Sequence, residues 1–340
     1  MHRCTFCHQP HITGVSLHTT VTPSDIRTTI ATALAEPKSR ARGAEFEVAF
    51  YGGTFTGLRP ELQEQFLRTA QKYVDGGMLT GIRLSTHPNM FDEHILDLLA
   101  SFTVTTIELG VQSFDNAVLK QARRGHTSEE AEHAIQRLQE LGIAVGIHLM
   151  VGLPGDSHDG SLRSTDKAIA LHPASARIHP TLVIHNTLLA KQHECGEYAA
   201  LSLTEAVHTC KEMLKRFQAH NIPVIRIGLQ PTESMERHIV AGPYHPAFRQ
   251  LVDSALMYDY IAERCEESGF PGGHLTITAA PQDISTVRGQ KNANLATLRQ
   301  AFNFTEVNVI PDSALRRGEF QMNCEQASTK NLTKPPTQLF

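Results

Sequence analysis

Between residues 46 and 229, short apolar runs with β-strand composition alternate with longer segments in which apolar residues recur at helical spacing. The helical segment after the first run begins at Pro60 and stops before Gly76, as expected of helix ends. Strands separated by helices are typical of parallel βαβ units, so the pattern predicts an α/β fold with a sheet or barrel covered by helices. The predicted strands are residues 46–51, 81–86, 105–110, 144–151, 177–184 and 224–229.

A smaller region with a different order of elements follows residue 231. A long helical pattern comes first, and a short strand, a helix and a second strand then predict a small β-α-β unit between residues 275 and 310. We therefore predict a large domain over residues 1–231 and a small α/β domain over residues 232–324. Residues 325–340 are polar and contain two adjacent prolines, which predicts a disordered tail.

Composition narrows the class of protein. The 340 residues are 41% hydrophobic and carry a formal net charge of −4, which is typical of a globular domain and unlike a general polyanion-binding protein. The apolar stretch Ile143–Leu153 is too short to span a membrane. Of six cysteines only Cys4 and Cys7 are close neighbours, which argues against a secreted disulfide scaffold. We therefore predict a cytoplasmic protein without a membrane partner.

The pair Cys4-Thr5-Phe6-Cys7 is a candidate metal site, because soft thiolates select iron–sulfur clusters or zinc. In a zinc site, His8 and His11 would complete the ligand set. A thioredoxin-type dithiol is less favoured, since no βαβ pattern precedes the cysteines. The spacing of two cysteines alone leaves these interpretations open.

Further candidate residues stand where the predicted strands end, which is where parallel α/β folds bind their ligands. Gly52 and Gly53 follow the first strand and would let the backbone approach a ligand closely. The guanidinium of Arg124 can bind a carboxylate through two charge-assisted hydrogen bonds, although a surface salt bridge is the simpler alternative. His148 lies among apolar residues and is either a hydrogen-bonded core residue or a ligand.

In their order along the chain, these motifs resemble those of radical S-adenosylmethionine (SAM) enzymes. Cys4–Cys7 is similar to the end of a C-x-x-x-C-x-aromatic-C loop, and Tyr51–Thr56 to the Gly-Gly-Glu-type motif of the family. Two segments in this order, Gly110–Phe114 and Arg123–Thr127, are similar to motifs of the Elongator catalytic subunit and of the oxygen-independent coproporphyrinogen oxidase. The segment Arg177–Ile184 makes the chain more similar to the Elongator subunit than to the oxidase. In the Elongator subunit, Lys and Tyr usually occupy the positions of Arg177 and His179.

The resemblance implies two cofactors, a 4Fe-4S cluster and SAM. Cys4 and Cys7 would bind the cluster, Gln112 the SAM ribose and Arg124 the SAM carboxylate. At Ser85 and His148 the coproporphyrinogen oxidase family usually has acidic residues, so this chain departs from the pattern there. The SAM pocket would comprise Phe6, Gly52, Gly53, Thr54, Ser85, Gln112, Arg124 and His148.

The resemblance also implies a partial (β/α) barrel with a small C-terminal α/β cap and a missing first strand. The first cysteine of the family's loop would stand directly before Met1, and no strand precedes Cys4. We therefore expect that the N-terminus is truncated within the cluster loop.

The implied activity is reductive cleavage of SAM to a 5′-deoxyadenosyl radical that attacks an unknown substrate, with a reducing electron-transfer protein as partner. The resemblance makes tRNA modification a possible role, and Arg288–Asn292 is loosely similar to the G-x-x-G loop of RNA-binding KH domains. Acetyl transfer does not carry over, because residues 231–340 contain no glycine-rich loop for coenzyme A. The alternatives are a catalytically incompetent radical SAM protein and a zinc-stabilised RNA-binding or scaffold protein.

Overall fold

The computed structural model of this chain divides into two compact units. Residues 1–206 and 219–244 form the first unit, and residues 207–218 and 245–340 form the second. None of the helices within the described residues is long and apolar enough to cross a lipid bilayer. The structure describes residues 4–13, 21–36, 45–230, 232–325, 332–333 and 337–338.

The first ten helices and eight strands of the described residues follow each other in the alternating order predicted for an α/β fold. Strands β1 to β8 are Glu47–Phe50, Gly81–Thr86, Val104–Gln112, Ala144–Val151, Ser175–Pro180, Val183–Ile184, Val224–Ile227 and Ile239–Ala241. Helices α1 to α10 are Gln9–Thr13, Pro23–Ala35, Pro60–Asp75, Glu93–Ala100, Asn116–Gln121, Ser128–Glu140, His158–Ala170, Leu188–Glu194, Leu203–Ala219 and Glu233–Glu236.

Six of these strands form one parallel sheet in the order β1-β2-β3-β4-β5-β7. The sheet curls into a half-barrel, which confirms the predicted partial (β/α) barrel. A capping box begins α6: the Thr127 hydroxyl accepts from the backbone N–H of Glu130, whose carboxylate accepts from the backbone N–H of Thr127.

Alternating side chains separate the two faces of the sheet. On β2 and β3, Ile82, Leu84, Ile107 and Leu109 are fully buried on one face. The residues between them point to the opposite, inner face of the half-barrel, because successive side chains of a strand alternate. This period of two places polar residues from several strands on the same inner face.

The prediction of one continuous strand over residues 177–184 was wrong. The chain forms β5 up to Pro180 and then leaves the six-stranded sheet. Its next strand, β6, pairs antiparallel with β8 instead. Proline has no N–H to donate to a sheet ladder, so Pro180 is a natural end for β5.

The second unit contains the predicted β-α-β pattern, with β9 and β10 parallel, and an additional antiparallel strand β11 that we did not predict. Much of the predicted tail over residues 325–340 lies outside the described residues; two short segments of it, β12 and β13, pair with β11. Strands β9 to β13 are Gly273–Ala279, Phe304–Pro311, Glu319–Glu325, Leu332–Thr333 and Thr337–Gln338. Helices α11 to α13 are Phe248–Ser268, Ile284–Arg288 and Ala293–Ala301.

Candidate active site

A cavity of about 590 Å³ lies on the inner face of the half-barrel, where the parallel strands end. Its wall includes every residue that we predicted as a cofactor ligand except Cys4, and Cys4 is hydrogen-bonded to one of them, Arg124. The predicted residues that line the cavity are Phe6, Cys7, Gly52, Gly53, Thr54, Ser85, Gln112, Arg124 and His148.

The cysteine loop is fixed to the half-barrel by its backbone. The N–H of Thr5 donates to the carbonyl of Ala122 at 3.0 Å, and the carbonyl of Thr5 accepts from Leu189 N–H at 2.9 Å. Cys4 and Cys7 are partly buried, neither is in a disulfide, and a turn joins them in which Cys7 N–H donates to the Cys4 carbonyl at 3.3 Å. The loop therefore presents two soft ligands at the edge of the cavity.

The zinc interpretation requires His8 and His11 to converge on the two thiols. Their rings instead stack on each other, with centroids 3.8 Å apart. Within the described ranges, no three or more His, Cys, Asp or Glu side chains are arranged to hold a metal ion. The geometry gives the zinc interpretation no support.

Arg124 connects the cysteine loop to the end of β3. Its side chain is 7% exposed; Nη1 donates to Cys4 Sγ at 3.0 Å, and Nη2 donates to the carbonyl of Gly110. Its Nε is buried and has no hydrogen-bond partner among the described residues. A buried N–H without an acceptor is costly, so this donor is suited to a ligand in the cavity.

Gln112 provides a second unsatisfied group beside Arg124. It lies in the left-handed region of the backbone, with φ of 72°, where the pairing of β3 with β4 is irregular. Its Oε1 is buried and accepts no hydrogen bond from the described part of the chain. A Cβ on Gly110 would lie 3.0 Å from the Gln112 side chain and 3.3 Å from that of Arg124, so glycine leaves room for both.

The carboxylate of Glu108 on β3 is the central ionised group of this cavity, and it was not predicted from the sequence. Glu108 is fully buried, and Tyr51 donates to its Oε1 at 2.6 Å. Arg177 donates to Oε2 through Nε at 2.5 Å and to Oε1 through Nη2 at 2.9 Å. Arg83 lies 3.2 Å from Oε1, and Nε2 of His148 lies 2.5 Å from Oε2. One carboxylate thus joins side chains from four neighbouring segments of the half-barrel.

This network determines the ionisation of its members. Burial alone would raise the pKa of Glu108, but hydrogen bonds from His148, Arg177 and Tyr51 outweigh it and hold the pKa well below its usual value. Burial and the adjacent Glu108 carboxylate raise the pKa of Tyr51 to about 12. Glu108 is therefore an anion and Tyr51 a neutral donor at physiological pH.

A signal for Glu108 was present in the sequence. Ile107-Glu108-Leu109 places one carboxylate inside a strand whose neighbours are all apolar or small, where an ionised group needs partners. Those partners, Arg83, His148 and Arg177, stand 25 to 69 residues away along the chain. Their identity depends on strand register, which the hydrophobic pattern does not give.

The fold and the cavity define a parallel half-barrel protein with a ligand site at the strand ends. The sequence model of the family described as the Radical SAM superfamily matches residues 1–162, and that of the Radical SAM C-terminal domain matches residues 173–258. The chain belongs to the radical SAM superfamily.

Among curated proteins, the tRNA uridine(34) acetyltransferase of Methanocaldococcus infernus is 26% identical over 281 residues, covering 74% of this chain and 51% of that protein. Protein YhcC of Escherichia coli is 26% identical over 191 residues, covering 55% of this chain and 61% of YhcC. Mouse Elongator complex protein 3 is 28% identical over 229 residues, covering 60% of this chain and 40% of that protein. The chain spans about half the length of the first of these relatives.

A solved structure supports the fold. Archaeal Elp3 from Methanocaldococcus infernus, with an N-terminal deletion of residues 1–46, superposes with a TM-score of 0.58. The superposition covers 89% of this chain and 72% of the Elp3 chain, at 19% sequence identity. At that identity the match shows the fold alone.

Replacing Glu108 with Gln is expected to lower the free energy of unfolding by about 3 kcal/mol at neutral pH, because Arg177 loses its carboxylate partner while Arg83 keeps Glu47. Since folding lowers the pKa of Glu108 from 4.5, its stabilising contribution is complete above that value and is lost as the pH falls below it. The difference between wild type and Glu108→Gln should therefore shrink in acid. Urea unfolding followed by circular dichroism at several pH values measures this.

The matched control is Glu64→Gln, which removes an exposed ion pair with Arg68. It should change the free energy of unfolding by less than about 1 kcal/mol. Equal effects of the two substitutions at neutral pH, or a difference that grows in acid, would contradict the role given to Glu108.

Proposed function

We propose that this chain is a radical SAM enzyme whose cavity binds a 4Fe-4S cluster and SAM. One observation supports this most directly: the thiol loop, Gln112 and Arg124 meet at a single cavity. When bound, the cluster supplies an electron that cleaves SAM to methionine and a 5′-deoxyadenosyl radical, which takes a hydrogen atom from the substrate.

The thiolates of Cys4 and Cys7 would bind iron, since thiolates are the usual ligands of iron–sulfur clusters. Arg124 Nε–H, now without an acceptor among the described residues, would donate to the SAM carboxylate. The unsatisfied Oε1 of Gln112 would accept from a ribose hydroxyl. Both roles suit atoms that are already buried and oriented, so little side-chain ordering is needed on binding.

The segment after β1 would form the opposite wall of the SAM pocket. Gly52 has a φ of 101°, a conformation that favours glycine, and a Cβ on Gly53 would meet no atom within 4 Å. With Thr54, these residues would offer backbone carbonyls to the SAM ammonium group. Phe6, Ser85 and His148 would complete the pocket, although Nε2 of His148 already contacts Glu108.

Two other hypotheses remain to be separated by experiment. Two thiols are fewer than the three that the family's loop supplies, so the 340-residue chain by itself could be catalytically incompetent. The other alternative is a zinc-stabilised RNA-binding or scaffold protein.

Anaerobic reconstitution with iron and sulfide is expected to give a brown protein that absorbs at about 400 nm, from sulfur-to-iron charge transfer. A variant with one cysteine inserted directly before Met1 completes the spacing of the family's loop. It should form more 5′-deoxyadenosine from SAM and dithionite than the unextended chain, because three thiolates hold the cluster better than two. Chromatographic measurement of 5′-deoxyadenosine compares the two.

Cys7→Ser in the extended variant is the control and should abolish both colour and product. Product from the extended variant alone would support the hypothesis that the unextended chain is incompetent. One tightly bound zinc and no brown colour in either form would contradict the radical SAM proposal.

Arg124→Gln is expected to weaken SAM binding by about 1.5–3 kcal/mol, the scale of a hydrogen bond to a charged group. Calorimetric titration of SAM into the reconstituted extended variant measures the change. The matched control is Arg68→Gln, which lies on the surface and should leave SAM affinity unaltered. Unchanged affinity in folded Arg124→Gln would remove this residue from the SAM site.

We further propose tRNA as the substrate class to test first, because curated relatives include tRNA uridine(34) acetyltransferases and Elongator complex protein 3. Adding tRNA from cells that lack this gene should raise 5′-deoxyadenosine formation by the extended variant, since substrate consumes the radical. Tested beside it, tRNA from cells that contain the gene should have a smaller effect. No effect of either preparation would contradict the tRNA proposal.

The cytoplasm and a reducing electron-transfer protein remain our proposals for location and electron source, because cluster chemistry needs a reducing environment. Cell fractionation tests the location. Replacing dithionite with reduced flavodoxin tests the electron source.

A further inference from the structure

Two arginines stand side by side on the inner face of the half-barrel, and neither is assigned to SAM. Arg177 on β5 and Arg226 on β7 are register partners in adjacent parallel strands, and both line the cavity. Adjacent strands lie about 4.8 Å apart, so side chains paired in this way can reach the same ligand group.

The charges around this pair do not balance. Among the described residues that line the cavity, Glu108 is the one carboxylate, whereas Arg124, Arg177 and Arg226 contribute three guanidinium groups. Glu108 is shared between Arg177, Arg83 and His148. The proposed SAM carboxylate would balance Arg124. The positive charge of Arg226 then remains without a counterion.

The contacts of Arg226 support the conclusion that it has no counterion among the described residues. Its Nη1 donates to the side-chain oxygen of Gln230 at 2.7 Å, and no ion pair joins it to a carboxylate in the part of the chain that the structure describes. Arg226 is half-buried. A partly desolvated guanidinium with a neutral partner attracts anions more strongly than one already paired with a carboxylate.

His179 contributes a third polar group to the part of the cavity lined by Arg177 and Arg226. Its Nδ1 is buried and has no hydrogen-bond partner within the described ranges. Burial and the charges of His148, Arg177 and Arg226 lower the pKa of His179 to about 3, while a hydrogen bond to the backbone of Gly228 raises it slightly. The ring is therefore neutral and donates to Gly228, which leaves Nδ1 as an acceptor for a ligand O–H.

We propose that Arg177, Arg226 and His179 form a subsite for an oxyanion of the substrate, and that a protonated phosphate group fits it best. The two guanidinium groups supply donors to the charged oxygens, and His179 Nδ1 accepts from the phosphate O–H. This inference rests on the proposed function, because it places the substrate beside SAM. It also narrows the substrate to molecules that carry a phosphate monoester, which a tRNA offers only at a chain end, so a phosphorylated small molecule fits the subsite better than a tRNA backbone does.

The test is calorimetric titration of inorganic phosphate and of sulfate into the iron-free wild-type protein at low ionic strength. Phosphate at neutral pH carries an O–H and sulfate does not, so phosphate should bind more tightly. Arg226→Gln should weaken phosphate binding by about tenfold or more, the loss of one charged hydrogen bond. Arg226→Lys keeps the charge but lacks the planar guanidinium with its paired donors. Its affinity for phosphate should therefore lie between those of the wild type and Arg226→Gln.

Arg68→Gln is the matched control and should bind phosphate as the wild type does. Circular dichroism of each variant checks that it is folded. Equal binding of phosphate and sulfate would remove His179 from the subsite. Absence of phosphate binding to the wild type, or binding unchanged in both Arg226 variants, would overturn the inference.

Two further probes distinguish which kind of molecule carries the phosphate. Uridine 5′-monophosphate presents a monoester, as a phosphorylated metabolite does, and the dinucleotide UpU presents a diester, as a nucleic-acid backbone does. A diester has no phosphate O–H, whereas a monoester carries one below its second pKa of about 6, so preference for the monoester at about pH 5.5 supports the subsite as described. Preference for UpU would overturn the assignment of His179 and point to nucleic acid. Titrating SAM into the reconstituted extended variant distinguishes failure of this inference from failure of the proposed function.

Discussion

The buried carboxylate of Glu108 is the constraint on which the rest of the cavity depends. A charge removed from water must be compensated locally, and here the compensation comes from the segment after β1 and from β2, β4 and β5. Each of those side chains reaches Glu108 only if its strand has the observed register. The ionic network and the alignment of the parallel strands therefore support each other.

The second constraint is the position of Arg124 between two parts of the chain that are far apart in sequence. One end of its guanidinium meets Cys4 and the carbonyl of Gly110, while Nε is left for a ligand. The arginine is buried, so its orientation is determined by these contacts and not by solvent. The thiol loop and the end of β3 are thereby brought to the same cavity.

Much of the fold followed from the sequence because parallel strands bring their carboxyl ends to one edge. Gly52, Gln112 and Arg124 all line the one cavity at that edge. The links around Glu108 did not follow, since they depend on which residues face each other across strands. The turn at Pro180 was missed because the apolar run continues through it into β6. Strand β11 was missed although Phe320, Met322 and Cys324 alternate as a half-buried strand should.

The alternation of side chains along β3 has a consequence for how such a protein can change. Inserting a single residue beside Glu108 would exchange the inward-facing and outward-facing positions on one side of the insertion, unless a bulge absorbed it, as the register shifts of β3 against β2 and β4 already do. Substitution of inward-facing residues leaves the outward-facing apolar set untouched. A lineage of such proteins can therefore acquire new ligands by exchanging alternate residues, while a change in strand length also needs a bulge to absorb it.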